Sequence, residues 1–153
     1  MILKEKIQSD MKAALKAREH RRLSTLRMLI AAISNKEIEL QKKNIGLSDE
    51  EVLEVIKTES KKRKDSIIEF KKGGRMDLVE KESGELEILL EYLPPELPDS
   101  EVSRIIEDAV RETGAARPAD FGKVMKSAMV ILKGRASGDR VSALLKKKLG
   151  ANE

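Results

Sequence analysis

Apolar residues recur every three to four positions through the first 92 residues, the spacing of one face of an α-helix. Leu3, Ile7, Met11, Ala14 and Leu15, with Arg18 closing the line, mark a first helix, and Glu19–Arg22 its polar end or a short turn. Leu23, Leu26, Leu29, Ile30, Ile33 and Leu40 predict a second helix running to about Lys43. The pause Asn44–Leu47 offers Gly46 as a helix-ending glycine. Ser48 with Glu51 three residues on forms a capping box, so that a third helix begins at Asp49. Its apolar positions, Val52, Leu53, Val55, Ile56, Ile67, Ile68 and Phe70, are interrupted by the polar stretch Thr58–Ser66, whose turns are expected to project away from the core. Gly73-Gly74 breaks the helix, and Met76, Leu78, Val79, Leu86, Leu89 and Leu90 carry a fourth toward Tyr92.

Three of the four prolines fall in Leu93-Pro94-Pro95-Glu96-Leu97-Pro98, which cannot continue a helix. Beyond it Val102, Ile105, Ile106, Ala109 and Val110 form a fifth helix ended by Thr113-Gly114. Phe121, Val124, Met125, Ala128, Met129 and Leu132 form a sixth, and Val141, Leu144, Leu145 and Leu149 a seventh. No alternating strand pattern occurs. The expected fold is all-α: an N-terminal domain of long amphipathic helices (1–93), a proline-rich hinge (94–98) and a small three-helix C-terminal domain (99–153), close to the lower size limit for independent folding.

Composition narrows the function. Charged residues make up 38% of the 153 positions, and no apolar run approaches the roughly 20 residues that span a bilayer, so no membrane is expected as partner. The N-terminus carries charges from Lys4 onward and lacks the pattern of a secretory signal, which leads to a cytoplasmic expectation. The absence of cysteine removes disulfides, thiolate metal sites and cysteine nucleophiles, and the lone His20 sits among charged neighbours as a surface histidine would. Carboxylate pairs such as Glu80 with Glu82 and Glu85 with Glu87 lie in segments crowded with solvated charge, not in a cleft that shifts a pKa. No catalytic constellation, metal site or cofactor is therefore expected. With Phe70, Tyr92 and Phe121 the only aromatics, a base-stacking platform is excluded, and a nucleic-acid partner would be held by charge and shape.

The net charge of +4 conceals a segregation. Residues 77–112 carry 12 acids against 3 bases, and residues 114–150 carry 9 bases against 2 acids, a net of +7. Within this basic module the segment Leu132-Lys-Gly-Arg-Ala-Ser-Gly-Asp-Arg-Val141 sets Lys133, Arg135 and Arg140 around Gly134 and Gly138, where backbone N–H groups at a helix start could meet a phosphate. It lacks the Gly-Lys-Ser/Thr ending of a Walker loop. Equally, Gly134 could cap one helix and Ser137 or Asp139 the next with no ligand. Arg18, Arg21, Arg22 and Arg27 form a second basic cluster and Lys57, Lys61, Lys62, Arg63 and Lys64 a third. Glu19, Glu54, Glu59 and Asp65 can offset both at helical spacing. Met125 and Met129 read as core fillers.

Five stretches, taken in order, resemble the YqeY family: Leu23-Ser-Thr-Leu-Arg-Met-Leu29, Lys62-Arg-Lys-Asp-Ser-Ile67, Glu91-Tyr-Leu-Pro-Pro95, Phe121-Gly-Lys-Val-Met125 and Lys133-Gly-Arg-Ala-Ser-Gly-Asp139. That family is similar to the C-terminal tail of the kinase-like subunit of the glutamyl- and aspartyl-tRNA amidotransferase, a non-catalytic element that touches tRNA. The resemblance implies an N-terminal helical domain hinged to a three-helix C-terminal domain, with tail-like contacts at Gly122, Lys123, Met125, Gly134, Arg135 and Gly138. A carbon–nitrogen ligase activity with glutamine as amido donor could attach to the family by association, but its catalytic parts are absent here. One departure is Pro98, where the family has a helix-capping serine, which puts the start of the fifth helix in doubt.

Residues and resemblance converge on one location. A module of net +7 with one aromatic reads phosphate backbone and shape. Lys123, Lys126, Lys133, Arg135 and Arg140 are expected to contact tRNA or another folded RNA, with Gly134 and Gly138 permitting close approach. The chain is expected to be a monomer. The alternative is a helical adaptor that docks a protein partner through the acidic 77–112 segment or the basic third helix. A lipid-surface role is disfavoured because no helix combines a wide apolar face with aromatic anchors.

Overall fold

The computed structural model describes residues 2–132 and 135–150. Among the described residues seven α-helices account for the fold, and no strand occurs. They group into two compact units, residues 1–93 and 94–153.

In the first unit, α1 (Ile2–Ala17) and α2 (His20–Glu39) are joined by two residues only, so they pack as neighbours. The turn is made by Arg18, which takes a positive φ of 59°, and Glu19 N–H closes it on the Ala14 carbonyl. The second helix therefore starts at His20, three residues before the apolar pattern begins. It also stops at Glu39 and not near Lys43. Gln41 adopts a φ of 56°, and Lys42 N–H returns to the Glu37 carbonyl at 2.7 Å, which is the hydrogen bonding of a left-handed helix stop. Gly46, at φ 83°, turns the following loop and does not end the helix.

Ser48 then caps α3 (Asp49–Lys72) as its spacing from Glu51 predicts: Ser48 Oγ accepts from Glu51 N–H at 3.2 Å. Lys42 Nζ approaches Glu51 Oε1 to 2.5 Å, tying the loop to the new helix. Gly73 and Gly74 separate α3 from α4 (Met76–Leu90). The core of the unit holds Ile7, Leu26, Leu29, Ile33, Leu47, Val52, Val55, Ile56, Leu89 and Tyr92. Tyr92 O–H donates to Asp10 at 2.5 Å. The loss of water around the ring, together with that bond, raises the phenol's pKa well above its ordinary range.

The charged middle of α3 projects on one side only: Thr58, Lys61, Lys62, Lys64 and Asp65 are exposed, while the other side turns inward. Ser60 and Arg63 are buried, and so is Glu85 across from them on α4. Arg63 Nε lies 3.3 Å from Glu85 Oε2, and Nη1 lies 3.1 Å from both the Glu59 carboxylate and the Glu59 carbonyl. Glu85 is thus an anion matched by a buried cation, not part of a solvated acidic run. One turn of contact nearby involves Gly84, where a Cβ would fall 2.6 Å from Arg21 Nη1. Arg21 lies across α4 at this point, and Arg22 pairs with Glu91 at 2.8 Å, so part of the first basic cluster is structural.

The second unit consists of α5 (Asp99–Thr113), a 3-10 turn at Pro118–Asp120, α6 (Phe121–Leu132) and α7 (Gly138–Gly150). Pro98 occupies the cap position of α5 and offers no side-chain hydrogen bond. The helix nevertheless begins at Asp99, because the Pro98 carbonyl takes up Glu101 and Val102 N–H and the acids Asp99 and Glu101 lie at the positive end of the helix dipole. Gly114 ends it at φ 68°. The core is aliphatic: Val102, Ile106, Ala109, Val124, Ala128, Leu132, Ala136, Val141, Leu145 and Leu149.

The ion pair between Arg63 and Glu85 sets up a clear expectation. Arg63→Met alone strands a buried carboxylate and should lower the unfolding free energy by about 3–5 kcal/mol, whereas Arg63→Met with Glu85→Leu should recover most of that loss. Urea titration of the two variants followed by circular dichroism compares them directly.

Candidate nucleic-acid interface

Helix α6 organises the candidate interface because one of its faces is committed to the core. Val124, Ala128 and Leu132 point inward, which turns Gly122, Lys123, Lys126, Val130 and Ile131 outward, all exposed. Met125 is half-buried and packs on the core, in keeping with its reading as a filler. Lys133 and Gly134 lie outside the described residues.

The remaining expected contacts do not form one cluster. A 12-residue helix rises about 18 Å, with Gly122, Lys123 and Lys126 in its first two turns and Arg135, Gly138 and Arg140 beyond its far end. Lys123, Lys126 and Arg135 are exposed and have no ion-pair partner among the described residues. Arg140 differs. Its Nη1 holds Glu96 at 2.8 Å, its Nε lies 2.8 Å from Asp99 Oδ1, and its Nη2 donates to the Leu97 carbonyl. Leu97 N–H in turn donates to the Arg135 carbonyl at 2.7 Å. Arg140 is therefore a clasp that fixes residues 96–99 to the start of α7.

The turn before α7 also has a local explanation. Ser137 Oγ accepts from Arg140 N–H at 3.2 Å, so Ser137 caps α7 and Gly138 is its first residue. Neither Gly122 nor Gly138 meets another atom within 4 Å of an added Cβ, and neither takes a positive φ. The fold itself does not require glycine at either place.

Lys146 is a site residue that the sequence pattern does not single out. The return of α7 alongside α6 carries its Nζ to 5.9 Å from the centroid of the Phe121 ring, a cation–π distance. This brings Lys146 to the end of α6 that bears Lys123. Short connections between antiparallel helices were the signal for that pairing. Arg117 precedes the same end. Asp120 accepts Ala116 and Arg117 N–H at 3.1 and 3.3 Å, and these bonds, helped by the nearby Arg117 and Lys123 charges, hold its pKa below the ordinary range. On α7, Lys148 is occupied by Glu107 at 2.5 Å, beside a shallow groove lined by Ser103, Ile106, Leu144 and Lys147. Among the described residues no group of acidic or histidine side chains could hold a metal ion, and no helix is long and apolar enough to cross a membrane.

The family model described as Yqey-like protein matches residues 4–149. The chain belongs to the YqeY family. This YqeY protein is 35% identical over 116 residues to "Altered inheritance of mitochondria protein 41, mitochondrial" of Lachancea thermotolerans, covering 74% of this chain and 60% of that relative. It is 42% identical over 87 residues to the protein of the same name in Kluyveromyces lactis, covering 56% and 45%, and 32% identical over 127 residues to that of Saccharomyces cerevisiae, covering 78% and 66%. The YqeY chain thus spans about half to two thirds of the length of these relatives. The names of these relatives place them in mitochondria, a finding that overturns the generic cytoplasmic expectation. Neither the family description nor these names state a catalysed reaction.

Two measurements follow from this geometry. Arg140→Ala should release residues 96–99, speed hydrogen exchange at the Leu97 amide and cost about 1–3 kcal/mol, read by exchange mass spectrometry and denaturation. Asp120 and Glu107 both titrate below their ordinary values, Glu107 chiefly through its hydrogen bond to Lys148. Their stabilising contribution is complete above about pH 5 and is lost as the pH falls through the lowered pKa values. Asp120→Asn with Glu107→Gln should therefore flatten the acid side of the melting temperature–pH curve.

Proposed function

We propose that this YqeY-family protein is a non-catalytic accessory module that binds folded RNA, with tRNA as the expected ligand, through its C-terminal unit. The observation that carries this reading is the outward face of α6 and the turn after it. Lys126 and Arg135 stand exposed there without ion-pair partners among the described residues, Lys123 stands exposed with only the field of nearby Asp120 upon it, and Lys146 is brought alongside. Unpaired cations on a rigid helix bind phosphates at little cost in lost internal contacts, and they read backbone and not sequence. The open space at Gly122 and Gly138 suits close backbone approach by such a ligand. Arg140, by contrast, contributes by holding the turn in place.

The relation to the amidotransferase tail belongs to the same proposal, as does the hinge role of the proline-rich stretch. The ties from Arg140 and Arg135 to Glu96 and Leu97 would confine that hinge to Pro94 and Pro95. A protein-adaptor role is the second reading. It is favoured by Ile2, Ile38 and Ile45, which are 77%, 62% and 79% exposed, close to where Lys4 meets Glu37 and Leu3 N–H meets Asp49.

Binding of the full chain to total tRNA across a salt series tests the primary reading. Lys123→Gln, Lys126→Gln and Arg135→Gln together should weaken binding and reduce the slope of log affinity against log salt by about 2 to 3. An unchanged slope would sink the assignment. No binding at about 100 μM in low salt, weaker than ordinary non-specific RNA binding, would favour the adaptor, whose partner should survive nuclease treatment.

A further inference from the structure

Helix α3 carries a second set of cations that the C-terminal reading does not use. Val52, Ile56, Ser60 and Arg63 face inward. On another side, Lys57, Lys61, Lys64, Ile68 and Lys71 succeed one another at intervals of four, three, four and three residues, which keeps them on one line of the helix. From Lys57 to Lys71 that line is about 21 Å long at 1.5 Å per residue.

What distinguishes this line from an ordinary solvated face is its pairing. Lys62 and Lys72, off the line, are matched by Glu59 at 3.2 Å and Glu69 at 3.4 Å. Lys57 meets Glu54 at 3.1 Å. Lys61, Lys64 and Lys71 are exposed and have no ion-pair partner among the described residues. The offset by neighbouring acids that the sequence allows is thus made beside the line and, over most of its length, not on it.

The shape of the patch selects its ligand. It is narrow, with Leu53, Ser60 and Ile67 buried or half-buried along one flank and the acids Asp65 and Glu69 exposed along the other. A planar anionic bilayer would press its charge against Asp65 and Glu69 as well, and Ile68 alone supplies no aromatic anchoring. A strand of phosphates is itself a line of charge, and it can follow a row of ammonium groups without touching the flanks. We propose that the Lys57, Lys61, Lys64 and Lys71 edge of α3 is a contact surface for a nucleic-acid phosphate backbone. It is separate from the face of α6 and does not depend on the reading given for that face.

The experiment uses the full chain and a fluorescein-labelled RNA hairpin, with anisotropy recorded across potassium chloride concentrations. Lys61→Gln, Lys64→Gln and Lys71→Gln together should leave helix content by circular dichroism unchanged, lower affinity at least about tenfold at low salt, and reduce the salt slope by about 2 to 3. The Lys123, Lys126 and Arg135 variant is measured beside it. Slopes reduced by each set of substitutions support both surfaces, and a slope reduced only by the α3 substitutions supports this surface and removes the α6 one. A slope reduced only by the α6 and turn substitutions overturns this proposal and leaves the other standing, and a wild-type chain that fails to bind the hairpin overturns both. If the α3 variant instead keeps its RNA affinity and loses binding to phosphatidylcholine–phosphatidylserine vesicles, the surface is a membrane contact and the proposal is wrong.

Discussion

The rotational setting of α3 against α4 depends on one buried interaction, the guanidinium of Arg63 held between Glu85 and Glu59. The main apolar core of this unit uses Val52, Val55 and Ile56 from α3 and Leu89 from α4. Beyond that level Ile67 and Phe70 of α3 and Leu78 and Leu86 of α4 are half-buried, and Val79 is buried. A charge-matched contact occupies the interface there, and it tolerates little rotation, because turning α3 would expose Arg63 or strand Glu85. The rotation of α3 is thereby fixed along its length. Its unpaired lysines face outward as a consequence of where Arg63 points inward.

The same sorting of cations shapes the C-terminal unit. Its sequence shows an undifferentiated excess of positive charge, yet the folded unit divides that charge by task. Arg140 fixes the chain leading into α5, and Lys148 bridges α7 to Glu107 on α5. Lys146 lies against the Phe121 ring. Among the described residues, the exposed cations of α6 and the turn after it that form no ion pair, Lys123, Lys126 and Arg135, lie toward its two ends. A ligand that engaged both ends would have to span about 18 Å, which a folded or double-stranded backbone does more readily than a small anion.

Much of the fold is legible in the chain because local rules set it. Ser48 with Glu51, Gly73-Gly74, the proline stretch and Gly114 act within a few residues, and each ends or starts a helix where its chemistry predicts. The misplaced boundaries have a common cause. Arg18 and Gln41 take left-handed conformations that glycine would ordinarily mark, so the ends of α1 and α2 carry no signal in residue type. The buried roles of Arg63 and Glu85 were hidden for a different reason. They lie 22 residues apart, and only the folding back of α4 on α3 distinguishes them from the many solvated charges around them. The candidate site shows the same limit: pattern located the basic module, but pairing decided that Lys123, Lys126 and Arg135 are available while Arg140 is not.

Family membership covers both units, since the match runs from residue 4 to residue 149. A function assigned to the C-terminal helices alone would leave the longer, more elaborately packed N-terminal unit without a task. The helices α1, α2 and α4 give that unit a rigid frame, and on it α3 presents a straight line of charge, most of it unpaired. The C-terminal unit presents its own cations from a hairpin closed by Arg140. In each unit an arginine buried or half-buried in the packing, Arg63 in the first and Arg140 in the second, holds a helix in position, and lysines of the same unit are left facing water.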